Sequence, residues 1–424
     1  MRWLPLLPLL LCACGDSAIS TTPTTLVNPD GFGQRELQAA VDRILPRVEE
    51  LRGWEFSSAV PAGVQSADQF MEFATKEFEE EYGLETFRAR GEAYGLLGLV
   101  DPEEDFLDTF LELLRGQVGG YYDPKTKTFY MIDAFNRGAL ADIIMAHELT
   151  HALDDQRFDL AAMAEKVKGN SDAEFAMRSV AEGSGMSLMN LYTMEGAKQG
   201  WLDMAEMARQ SMKMQSDQAA ALQRAPQFLV ITLALPYLEG NKFLAKTSNF
   251  MKAMQLKPTH EDLETAFKNP PRSSEQVLHP EKYWDPGKLD EPMPTQAEDL
   301  STNLGAGWAS ADSDVLGELG CFVMTVEQIP NLGTMAGMAA PRVTPASAGW
   351  GGDEYRYFRH VDGGKALLWE VDWDAEADAK EFLSALQTKQ ASNPFLHSIR
   401  KKGNRVSVWF GDLKGVSAIA QLNP

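Results

Sequence analysis

The segment His147-Glu148-Leu149-Thr150-His151 constrains this chain more than any other, because its residues can act together only on a helix. On an α-helix, positions i and i+4 lie roughly 40° apart around the axis, so both imidazoles project from one face, a single turn apart. Glu148 falls about 100° round from His147, beside whatever the imidazoles grip rather than on it. Two imidazoles on one face suit a transition metal, and the adjacent carboxylate suits a general base for water activated by that metal.

Two histidines do not complete a catalytic zinc site, which takes three protein ligands and one open position. The metzincin extension needs Gly at 154 and His at 157; the chain has Asp154 and Arg157, which excludes that class. Glu182 is the candidate third ligand. It lies in Ser179-Val180-Ala181-Glu182-Gly183-Ser184-Gly185, a largely apolar helical stretch where an acid is costly unless something pairs with it. Asp155, one turn after His151, shares the ligand face and is expected to support a ligand or serve as a helix charge.

Around these residues the chain resembles the gluzincins, the thermolysin-like HExxH zinc peptidases whose third ligand is a glutamate on the next long helix. The resemblance implies that His147, His151 and Glu182 bind Zn2+ and that Glu148 is the base. The chain departs from that pattern in a longer interval to Glu182, in lacking the Asn-Glu pair, and in carrying Met186 where an Asp is usual. More narrowly it looks like a group of microbial proteins that combine Gly120-Tyr121-Tyr122-Asp123-Pro124, the segment from His147 to Gln156, and Ser273-Ser274-Glu275-Gln276-Val277-Leu278-His279-Pro280. Such peptidases give a downstream His or Tyr the task of donating to the oxyanion. His279 is the candidate here, with Tyr237 and Tyr283 as further donors. His260, His360 and His397 have no partner spacing and read as structural.

The N-terminus supplies an address. Leucines at 4, 6, 7, 9, 10 and 11 follow Arg2, a run too short to span a bilayer and suited to a signal peptide over residues 1–13. Leu11-Cys12-Ala13-Cys14 resembles a bacterial lipobox, which implies that Cys14 carries a lipid, with residues 14–33 as a tether rich in Ser, Thr and Pro. The expected location is the bacterial cell envelope, facing the periplasm or the exterior. After processing, Cys321 is the only other cysteine, so no intramolecular disulfide can form; Cys321 reads as a buried apolar residue. A net charge of −22, from 39 basic and 61 acidic residues, argues against nucleic acid as a partner, because phosphates would be repelled.

With 424 residues and 44% hydrophobic content the chain can bury a large core, read as two domains. Periodicity predicts helices over 34–51, 67–82, 92–99, 106–115, 137–153, 173–194 and 201–222, with a hairpin of strands at 117–123 and 128–133. The second strand either offers an edge to an extended peptide or is an ordinary covered strand. Residues 226–250 read as a buried helix broken at Pro236, and 269–286 as the end of the first domain. Strands at 355–360, 366–373 and 405–411, with a helix at 375–386, complete the expectation. This is an α+β protein, with a mainly helical zincin-like domain over 34–290 and a small α+β domain over 291–424. The expected activity is peptide hydrolysis with a peptide or protein substrate. The alternatives are a silent zincin-fold lipoprotein that binds an envelope partner, or a zinc hydrolase of a non-peptide amide. Oligomeric state is not readable.

Overall fold

A computed structural model describes residues 30–422; the expected signal peptide and nearly all of the tether, Cys14 included, lie outside the described residues. The class is α+β, with helix far outweighing two small sheets. Among the described residues no helix is long and apolar enough to cross a membrane.

The first part runs α1 (Gln34–Arg52), β1 (Ala62–Gln65), α2 (Ala67–Tyr82), α3 (Leu84–Leu97), α4 (Phe106–Gln117), β2 (Gly120–Asp123), β3 (Thr128–Ile132), α5 (Ala139–Phe158), α6 (Leu160–Val167), α7 (Ser171–Gln199), α8 (Met204–Arg224) and α9 (Gln227–Leu244). The helix starts follow local chemistry. Ser66 and Gln69 form a capping box at α2, and the Asn170 side chain accepts from the Ala173 N–H at α7. Every residue of α5 from Ile143 to Asp155 is buried, so this stretch has no solvent face and sits inside the helical layer. β4 (Trp308–Asp314), β5 (Trp350–His360), β6 (Lys365–Trp373), β7 (Leu396–Lys402) and β8 (Arg405–Gly411) form an antiparallel sheet in the order β4-β5-β6-β8-β7.

Two expectations need correction. β3 is not an edge: β1 pairs with it in parallel on one side and β2 antiparallel on the other, so no peptide can add to it. The four residues of β1 were too short to be read as a strand. The helix over Pro236 is not broken, since α9 continues through it to Leu244. An interior proline costs about 3 kcal/mol, but sixteen of the eighteen α9 residues are buried and that packing outweighs the lost hydrogen bond. The polar segment 269–286 also contributes to the interior. Ser273, Ser274, Glu275 and Gln276 are buried, the Ser274 N–H donates to Asp172 Oδ1 (3.0 Å), and Ser274 Oγ accepts from the Leu319 N–H (3.1 Å). Polar residues can be buried here because each finds a partner. One hydrophobic core also joins α2, α3 and α4 to β5, β6 and β8, across residue 290.

α7 and α9 make the tightest crossing. A Cβ on Gly240 would lie 1.9 Å from the Ser179 carbonyl oxygen, and one on Gly183 would lie 2.3 Å from the Gly240 carbonyl carbon. Only glycine at both positions lets the two backbones meet, and this contact fixes how α9 lies against Glu182.

Burial pushes the Asp172 carboxyl up to about 7 and the Glu174 carboxyl up to about 8, the latter with help from the Asp314 charge. Unfolded, both groups ionise near pH 4. The stability they contribute is therefore fully present below about pH 4 and is lost as pH rises through 7 to 8. Metal-free protein is expected to melt several degrees lower at pH 8.5 than at pH 5.5; a Tm that is flat or rises across that interval excludes this assignment.

Candidate metal centre

α5 and α7 bring the three expected ligands to one point. His147 Nε2 lies 3.1 Å and His151 Nε2 3.3 Å from Glu182 Oε2, and the two Nε2 atoms lie 2.9 Å apart. Ligand atoms placed about 2.0–2.1 Å from a tetrahedral zinc are separated by roughly 3.3 Å, so the three donors fit that ion. All three side chains are buried. Burial, followed by the His151 imidazole, lowers the His147 pKa to about 4, so this ring is neutral at pH 7. Burial alone would raise Glu182, but His151 and His147 outweigh it and hold the carboxyl at about 2. A neutral imidazole and an ionised carboxylate are the states that bind a divalent cation.

Several residues hold these ligands that the sequence did not single out. A Cβ on Gly185 would lie 2.5 Å from His147 Cε1, so glycine there makes room for the ring against the α7 backbone. Ser184, between the two glycines, donates to Asp154 Oδ2 (2.5 Å) and accepts from Arg52 Nη2 (2.5 Å), and Arg52 also pairs with Asp154. This buried triangle ties α1, α5 and α7 together beside the ligands. Arg157, at the position where a metzincin would carry a histidine, instead lies over the Trp54 ring at 4.3 Å.

Glu148 is fully buried and is held by the hairpin. The Tyr122 N–H donates to its Oε2 (3.0 Å), while Oε1 has no hydrogen-bond partner among the described residues. Burial, then the Glu182 charge, pushes its pKa well above the usual carboxylate range. Tyr122 acts twice, since its hydroxyl donates to Asp155 Oδ2 (2.7 Å). Asp155 also accepts from Lys127 Nζ (2.8 Å) and the Leu160 N–H (2.9 Å), so it anchors the hairpin rather than binding metal. The Gly120-Tyr121-Tyr122-Asp123 strand was legible as a motif; that its backbone amide holds Glu148 was not.

His279 is not brought to this centre. Its Nε2 lies 3.0 Å from Glu318 Oε1, and that carboxylate raises its pKa against the effect of burial. Tyr283 is also engaged elsewhere, donating to the Asn269 carbonyl (2.5 Å). Tyr237 is the hydroxyl that arrives. Its ring stacks on His147 with centroids 5.6 Å apart and planes at 20°, and burial, then the Glu182 and Glu148 carboxylates, raises its pKa. Its place depends on α9 running unbroken through Pro236. His260 stacks on Trp54 and His360 faces the Ala306 carbonyl, both far from any ligand role.

Residues 303–412 match a family model described as a domain of unknown function (DUF8575). This stretch spans the five-stranded sheet, and His147, His151 and Glu182 lie outside it. No curated protein and no solved structure matches the chain.

Proposed function

We propose that the protein is a zinc metallopeptidase of gluzincin type, anchored through a lipid on Cys14 to the bacterial cell envelope. The observation that carries the reading is the convergence of His147 Nε2, His151 Nε2 and Glu182 Oε2 with Glu148 buried beside them. His147, His151 and Glu182 would hold the ion. Zinc bound there supplies Lewis acidity toward a carbonyl oxygen and lowers the pKa of a water. Glu148, aimed by the Tyr122 N–H, would take a proton from the attacking water and return it to the leaving amine. Tyr237, in place of His279, donates to the oxygen that becomes negative as the carbonyl is attacked.

The test is cleavage of casein and a broad peptide library by zinc-loaded protein, with chelator-treated protein as control. No cleavage of any member by fully loaded protein overturns the peptidase reading and leaves a silent scaffold or a zinc hydrolase of a non-peptide amide. Tyr237→Phe is expected to lower kcat about 100-fold while zinc stays bound; a kcat within a fewfold of wild type removes Tyr237 from the reaction. For the anchor, Cys14→Ser should move the protein from the membrane to the soluble fraction, and unchanged membrane attachment contradicts it.

A further inference from the structure

The two helices that hold the metal ligands also wall a cavity. On α5, Ile144 sits one turn before His147; on α7, Met186 sits one turn after Glu182. Ile144 and Met186 form a buried apolar cluster with Tyr237, the residue stacked on His147. From that cluster a cavity of about 540 Å³ extends between α5, α7, α8 and α9. Its walls are mostly apolar and rich in methionine, with Met189, Met207, Met214 and Met254 along its length and the exposed Met194 toward solvent. Methionine is unbranched and adapts to a flexible partner more readily than leucine or isoleucine.

The volume decides what kind of group fits. A cavity of roughly 150 Å³ takes one benzene, so this one has room for roughly 20 carbon atoms. A single leucine or phenylalanine side chain would leave most of it empty, and among the described residues its walls carry no charge, only uncharged polar groups such as Asn190 and Gln215 beside the apolar ones. Tyr237 forms the inner end, beside the ligands. A carbonyl whose oxygen faces the Tyr237 hydroxyl therefore places the chain on its carbon at the start of the cavity.

We propose that the cavity between α5, α7, α8 and α9 binds a linear hydrocarbon chain, and that the substrate is an amide whose acyl group is that chain. This rests on the hydrolase reading above and names its substrate class. Hydrolysis adds the water oxygen to the acyl carbon, breaks the C–N bond and passes one water proton to the amine, releasing a fatty acid and an amine.

Two measurements test it on the full chain. The first is displacement of a fluorescent fatty acid by saturated fatty acids of 4, 8, 12 and 16 carbons. Affinity should rise about threefold to fourfold per methylene over the short members and level off once the cavity is full. Met214 packs against the Ile144, Met186 and Tyr237 cluster, so Met214→Trp, which fills the space beside it, should remove most of the gain with chain length, and Met214→Leu should restore it. The second is hydrolysis of N-acylglycines of the same lengths by zinc-loaded protein, against peptides acylated at the N-terminus. Faster turnover of one set identifies free amides or lipopeptides as the source. A flat chain-length series overturns the acyl site, and if Glu148-dependent peptide cleavage persists, the peptidase reading survives alone. Length-dependent binding that Met214→Trp abolishes, without hydrolysis of any amide, supports the chain site and overturns the hydrolase reading.

Discussion

Glu148→Gln should lower kcat/KM for any cleaved amide by about 10³-fold, within the range that a positioned general base contributes. The glutamine has the same shape and keeps an oxygen to accept the Tyr122 N–H, so the hairpin and α5 should stay as they are. What it loses is the capacity to take a proton. Glu148 is not among the three converging donors, so zinc content should equal that of wild type. Measured together, rate and metal stoichiometry separate a missing base from a damaged site. A variant with full zinc and activity within tenfold of wild type would falsify the role of Glu148.

Glu182→Ala should weaken zinc binding by more than about 100-fold, because even a residue that only orients a ligand typically costs 10- to 100-fold. The substitution removes a buried acid without adding bulk, so the helix should form. In wild type, zinc at 100 times its Kd should stabilise the fold by about 2.7 kcal/mol, and in the variant that thermal shift should vanish. Competition with a chelator and metal analysis of the dialysed protein give the same answer by independent routes. Unchanged stoichiometry and affinity would remove Glu182 from the ligand set and leave the two histidines without their third partner.

Part of the helical layer could be read from periodicity, because α2 and α4 carry their spacing and caps in contiguous residues. The strands that escaped were β1, β4 and β7. Each lies at the edge of its sheet, where one side is free of neighbours and alternation is weak. The second core was hidden for another reason: it is assembled from α2, α3 and α4 and from strands more than 200 residues later, a contact between surfaces that no window of sequence contains.

The chemistry divides along the same line. Sequence alone determined that His147 and His151 share one helix face with Glu148 beside them, since helical geometry settles relations within one turn. It also marked Glu182 as a buried acid in need of a partner. Tertiary structure decided what meets these residues. The glycine contact between α7 and α9 sets Tyr237 on His147, the hairpin amide of Tyr122 finds Glu148, and His279 is drawn to Glu318 instead. Each of these depends on how separate elements pack, and packing is governed by the shapes of facing surfaces rather than by the order of residues along either one.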